Sequence, residues 1–253
     1  MKYWTKEIYE EMQAYSLPGF YETEAELEEA RQWAIEDGYD FVEQAIESNT
    51  YRLPLWEKYL SPELVAYARN HQMLSCYLPE ENVVRAVEQA RREWEHTWHT
   101  LCQQYVQHYE HLQHQLPAGV IELQEQCHIH DAKIISVKEL QFGQDIHNAE
   151  HAKTIEIRMV HGSQYGYRFT FTGVTQYTYD VDIHHNVSLY KEVDIEGEEQ
   201  FAFRMLLCNA VGTKDSMNEM GIVFHDVTVE QGSHLGAAAD FAESEQYDFT
   251  FEN

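Results

Sequence analysis

Residues Cys127-His128-Ile129-His130-Asp131 bring a thiol, two imidazoles and a carboxylate into five consecutive positions. On an extended strand alternate side chains share a face, so His128 and His130 could offer two nitrogens to a divalent metal, with Asp131 as an oxygen donor beside them. A second set, Asp180-x-Asp182-x-His184, has the same spacing and projects three ligand-type side chains opposite Tyr179, Val181 and Ile183. The candidate metal ligands are therefore His128, His130, Asp131, Asp180, Asp182 and His184. A divalent ion there would activate a water for hydrolysis, which defines one function class, a metal-dependent hydrolase using His128, His130 and Asp131. No other cofactor is expected, and no catalytic set is complete.

The remaining chemistry is weaker. His96, His99, His108, His111 and His114 lie in one helical segment, but their spacing is H-x-x-H, and Glu95 precedes the first pair. A zinc helix wants H-E-x-x-H, with ligands one turn apart and the glutamate between them. At about 100° per residue, four of the five face away from the apolar stripe and His108 borders it, which describes a solvated face. Cys127 beside His128 is the one adjacent thiol–imidazole pair, and neighbouring strand residues point to opposite sides, so the thiol gains no base. Asn148 to His151 is isolated, and His225, next to Asp226, reads as an inner histidine on a Val223/Val227 face. Phosphate-binding glycine loops and a G-x-S-x-G elbow are missing.

The net charge of −27 comes from 44 acidic and 17 basic side chains, and the pI is near 4.8. The charge is about −14 up to Gln126 and about −13 beyond it, so both halves are acidic. Such a surface repels phosphate backbones and anionic bilayers, which excludes nucleic acid and membrane as partners, and it speeds encounter with a basic protein. Cys76, Cys102, Cys127 and Cys208 are widely spaced and form neither a zinc ribbon nor a disulfide scaffold. The amphipathic start MKYWTKEIYEEMQAY has no signal-type apolar core, so a cytoplasmic, soluble protein is expected.

The elements that must position these residues change type midway, giving an α+β chain. A helical domain is expected over 1–120 and an antiparallel β domain, sandwich or open barrel, over 121–253. Ile8, Met12 and Tyr15 share a helical face after Thr5, and Thr23 with Glu26 forms a capping-box spacing for a helix that Gly38 stops. Further helices are expected from Asp40 to Glu47 and after Ser61-Pro62 and Leu78-Pro79, the longest over about 80–115. Its stripe from Val83 to Leu116 repeats at about 3.67 residues, close to an eleven-residue repeat, which suits a straight helix packed on its own domain. After Gln126 the period falls to two. Ile155, Ile157 and Met159, then Tyr165 to Phe171, Tyr177 to Ile183, Phe201 to Leu207, and Val223, Val227 and Val229 mark strands with one apolar face. Gln231 to Ala239 reads as a loop before a last edge strand, Tyr247 to Phe251.

The segments MKYWTKEIYEEMQ and HIHDAKIISV resemble a bacterial family catalogued as a domain of unknown function, whose members open M-K-Y-x-T-K-E-x-Y-x-x-M and carry L-H-D-A-x-[IV]. The likeness falls on Met1, Lys2, Tyr3, Thr5, Lys6, Glu7, Tyr9 and Met12, then on His130, Asp131, Ala132 and Ile134, with Ile129 in place of the leucine. It implies helices followed by strands along the whole chain and brings no activity, cofactor or catalytic residue. The β-rich half is also similar to small domains of bacterial immunity proteins, a likeness of fold. With 17 Tyr, 11 Phe and 5 Trp on an acidic chain, the leading expectation is a non-enzymatic, immunity- or antitoxin-like binding protein for a basic protein partner. At the junction itself, His130 and Asp131 are expected to serve stability, Asp131 by bonding nearby backbone N–H groups.

Overall fold

A computed structural model describes residues 1–140, 153–162, 165–179, 183, 185–209, 217–234 and 249–250. The chain is α+β. Six helices come first: α1 (Lys6–Tyr15), α2 (Glu24–Glu36), α3 (Phe41–Tyr59), α4 (Pro62–Arg69), α5 (Glu81–Gln113) and α6 (Ala118–Glu125). The strands are β1 (Lys133–Leu140), β2 (Lys153–His161), β3 (Tyr165–Val174), β4 (Gln176–Tyr179), β5 (Asn186–Gly197), β6 (Gln200–Asn209), β7 (Met217–Phe224), β8 (Asp226–His234) and β9 (Phe249–Thr250). No helix among the described residues is long and apolar enough to cross a membrane.

Two compact units divide the chain, Glu7–Gln104 and Met1–Lys6 with Tyr105–Asn253. The change of unit falls within α5, and the first six residues belong with the strands. Sequence cannot show this, because the stripe of α5 is apolar along its whole length.

In the helical unit, Thr23 caps α2 through the expected capping box and Ser61 caps α4 with Pro62 at its first turn. Trp56, Leu60, Leu64, Val83 and Val87 form its core. The indole N–H of Trp56 donates to the Ala14 carbonyl at 3.0 Å, and Tyr15 stacks on Trp94 with centroids 5.1 Å apart. α3 continues through Pro54 to Tyr59, well beyond the expected Glu47.

In the other unit the described strands make one antiparallel sheet, ordered β4-β7-β6-β5-β1-β2-β3-β8-β9, open with β4 and β9 as edges. It curls strongly. Phe171 of β3 stacks on Phe203 of β6 at 5.6 Å and meets Phe224 of β7 edge-on at 4.9 Å, although these strands are not neighbours in the order. The curl is made where the chain crosses between wings through single residues, Thr175 from β3 to β4 and His225 from β7 to β8, as strands do at the corners of orthogonal sheets. Gly173, at φ +64°, permits the bend, since a Cβ there would lie 2.9 Å from His225 Cβ. His225 is consequently an exposed corner residue, not an inner one. Ile222 and Phe224 are buried before it and Val227 after it, so the inward phase resets at the corner. Val120 and Leu123 of α6 share the sheet's core with Ile157, Phe169 and Phe203. At the end of β8, Gln231 to His234 are strand, where a loop was expected, and β9 pairs there through Phe249 and Thr250.

Candidate functional site

The CHIHD stretch is a turn between α6 and β1, and the strand begins only at Lys133. Cys127 and Ile129 are buried while His128 and His130 are exposed, so the expected alternation holds without a strand. Ala132 N–H closes the turn on the Ile129 carbonyl at 3.0 Å, with Asp131 at φ +63°. Asp131 N–H donates to the Ser188 carbonyl and Ser188 N–H to the Ala132 carbonyl, both at 2.8 Å, tying the turn to β5. The Asp131 carboxylate does not bond backbone N–H groups as expected; it meets His130 Nδ1 at 3.1 Å. His130 also sets its ring edge-on to Tyr190, centroids 5.7 Å apart. Of the candidate ligands, then, the structure brings His130 and Asp131 together, while Asp180, Asp182 and His184 lie outside the described residues. Among the described residues no three His, Cys, Asp or Glu are grouped to hold a metal ion.

Beside the turn is a recess of about 320 Å³ whose walls include Cys127, His128, His130, Tyr190 and Lys191. Lys191 projects from β5 and donates from Nζ to the carbonyls of Leu123 and Cys127, both at 2.6 Å. Those carbonyls belong to the last turn of α6 and the segment just after it, where a cation is favoured by the helix dipole and by otherwise orphaned oxygens. Burial pushes the ammonium down to about 8, against that attraction. The Cys127 thiol is pushed up to about 11 by its own burial, so it stays protonated at neutral pH and supplies no nucleophile. The recess is built as a joint: Lys191 fastens the helix, and the Tyr167 hydroxyl accepts from His128 N–H at 3.2 Å.

The opposite face of β5 receives the N-terminal residues. Glu192, 2 % exposed, accepts the backbone N–H groups of Lys2, Tyr3 and Trp4 at 2.9, 2.6 and 2.7 Å. Tyr3 packs on Tyr105 and His108, with centroids 5.3 and 5.5 Å away, and Trp4 stacks on Tyr190 at 5.2 Å. His108 in turn meets Asp194 at 3.2 Å, where sequence placed it only at the border of the stripe. Lys191 and Glu192 went unnoticed in sequence because their partners are far away along the chain; the available signal was two adjacent charges set between Tyr190 and Val193.

In the helical unit the α2–α3 corner concentrates exposed apolar and acidic groups. Trp33, Ile35 and Tyr39 are 63 %, 62 % and 40 % exposed. Gly38, at φ +82°, donates to the Ile35 carbonyl and Tyr39 N–H returns to the Ala34 carbonyl, the paired bonds of a Schellman ending. Asp40 then caps α3, its carboxylate accepting from the N–H groups of Val42 and Glu43 at 2.9 Å. The corner is thus fixed by backbone bonds while its large side chains stay in water. Around them Glu29, Glu36, Asp37, Glu43 and Glu47 are exposed, and the nearby cation Arg31 is held by Glu28 at 2.9 Å.

The family model described as a protein of unknown function (DUF4085) matches residues 3–211. No curated protein and no solved structure matches the chain. The matched span contains the Tyr3-Trp4 anchor, the α2–α3 corner and the turn at His130. With most of its length so matched, the chain belongs to the DUF4085 family of proteins of unknown function.

Proposed function

We propose that the protein is a non-enzymatic acidic binding protein that occupies a basic protein partner, in the manner of an immunity or antitoxin factor, with the α2–α3 corner as its contact surface. The observation that carries this reading is the corner itself: Trp33 and Tyr39 are held exposed on a pre-set backbone amid unpaired carboxylates. Aromatic side chains of this kind dominate binding energy at protein interfaces, and the surrounding charge steers a cationic partner and rejects anionic ones. A rigid corner also loses little freedom on association.

The test is affinity capture from the native lysate at low salt, comparing the parent with Trp33→Ala/Tyr39→Ser and with Glu36→Lys/Asp37→Lys. A protein of basic pI should be retained by the parent, released by salt, and lost from both variants. If the parent retains no basic protein, the reading is wrong.

A further inference from the structure

The helical unit has a second, polar recess of about 300 Å³ on the side of α3 that carries Asn49 and Arg52. This unit holds seven Lys and Arg residues. Five of them pair with carboxylates: Arg31 with Glu28, Lys58 with Glu10, Arg69 with Glu57, Arg85 with Glu81 and Arg92 with Glu88. Arg52 and Arg91 do not. Both donate to backbone carbonyls of the loop after α1, Arg52 to Ser16 and Arg91 to Leu17 and Pro18 at 3.3 Å. Arg52 therefore lines a recess with a guanidinium that has no carboxylate, in a chain of 44 acidic side chains.

The second observation is independent. Asn49 lines the same recess, is 5 % exposed, and its Oδ1 has no hydrogen-bond partner. The amide orientation is set by Nδ2, which donates to the Ala68 carbonyl at 3.2 Å, so the unpaired atom is an acceptor. A buried acceptor without a partner is uncommon in folded proteins and calls for a donor. A bare anion would satisfy Arg52 and leave Asn49 unpaired; a bare cation would do the reverse and be repelled by Arg52. Asn49 and Arg52 are three apart on α3, hence neighbours on one helical face with Cβ atoms about 5–6 Å apart. That separation suits a molecule carrying an ammonium and a carboxylate on one carbon. Leu17, Trp56, Met73 and Leu74, each more than nine-tenths buried, are apolar residues of the lining that the rest of it would meet.

We propose that this recess binds a free α-amino acid with an apolar side chain, its ammonium donating to Asn49 Oδ1 and its carboxylate accepting from Arg52. The site is separate from the α2–α3 corner and does not depend on it.

The experiment is a thermal-melting and calorimetric titration of the full chain with L-leucine, L-methionine and L-phenylalanine. Isocaproate and isoamylamine, each lacking one charged group of leucine, serve as controls. At least one amino acid should raise the melting midpoint saturably, with neither control doing so. Arg52→Gln and the milder Arg52→Lys should weaken binding at least tenfold, and Asn49→Leu should abolish it while circular dichroism remains that of the parent. Arg85→Gln, at an exposed residue off the recess wall, should bind as the parent does. No shift with any amino acid, an equal shift with isocaproate, or undiminished binding by both Arg52 variants overturns the proposal.

Discussion

Lys191 Nζ lies 2.6 Å from the carbonyl oxygen of Leu123, so a side chain from β5 closes the C-terminal end of α6. Replacing it by methionine keeps the aliphatic stem and leaves two carbonyls without their donor. Lys191→Met should cost about 1–3 kcal/mol in urea unfolding at pH 7. The pH dependence has a definite sign. An unfolded lysine holds its proton to about 10.5 and the folded one only to about 8, so above pH 8 the unfolded chain binds more protons and stability rises with pH. Between pH 8 and 9 the parent should therefore gain about 1 kcal/mol on the variant. Cys127 acts oppositely from about pH 9 to 11, where the folded thiol keeps a proton the unfolded one loses, which confines the measurement to pH 9 and below. A stability gap that narrows from pH 8 to 9 would show that the carbonyls outweigh burial.

Asp131 is held at φ +63°, a region where glycine is at ease and β-branched residues are strained. Asp131→Gly should melt within about 0.5 kcal/mol of the parent, and Asp131→Val should lose about 1–2 kcal/mol. His130→Ala removes only an exposed ring and should fall within about 0.5 kcal/mol. A large loss at His130 with none at Asp131→Val would mean that the side chains and not the backbone hold the turn.

Glu192→Gln retains size but removes the charge that gathers three N–H groups. A loss of about 1–3 kcal/mol is expected, with faster amide exchange at Lys2, Tyr3 and Trp4. Unchanged exchange there would assign the anchoring to the aromatic packing of Tyr3 and Trp4 alone.

Gly173→Ala combines a left-handed backbone with a Cβ set 2.9 Å from His225 Cβ. A cost above about 2 kcal/mol follows, measured by chemical unfolding. His225→Gly should recover part of it when combined with Gly173→Ala, because it removes the atom that is struck.

Much of this fold was legible where a single period governs a whole element. Ile155, Ile157 and Met159 face the core as alternation requires, and His96, His99 and His111 on α5, with His114 just past its end, are exposed as the helical wheel placed them. Periodicity failed where two elements share one run of residues. The stripe of α5 is continuous across a unit boundary, and the β7–β8 run changes its inward phase at His225, so Val223 was read as facing the core while Ile222 and Phe224 are the buried residues. Of the candidate metal residues, His130 and Asp131 were named together, but their contact was not read, because Asp131 was expected to bond backbone N–H groups. Lys191 with Leu123, and Glu192 with Trp4, were not legible, since a bond spanning many residues leaves no spacing in either partner's neighbourhood.

The two single-residue corners have a mechanical consequence. β3 with β4, and β7 with β8, are in effect two long bent strands, each stitched into both wings of the sheet. Neither wing can peel away while the other stays paired, because doing so would break the ladder on both sides of Thr175 and His225 at once. The described strands should accordingly lose their amide protection together, as one cooperative block.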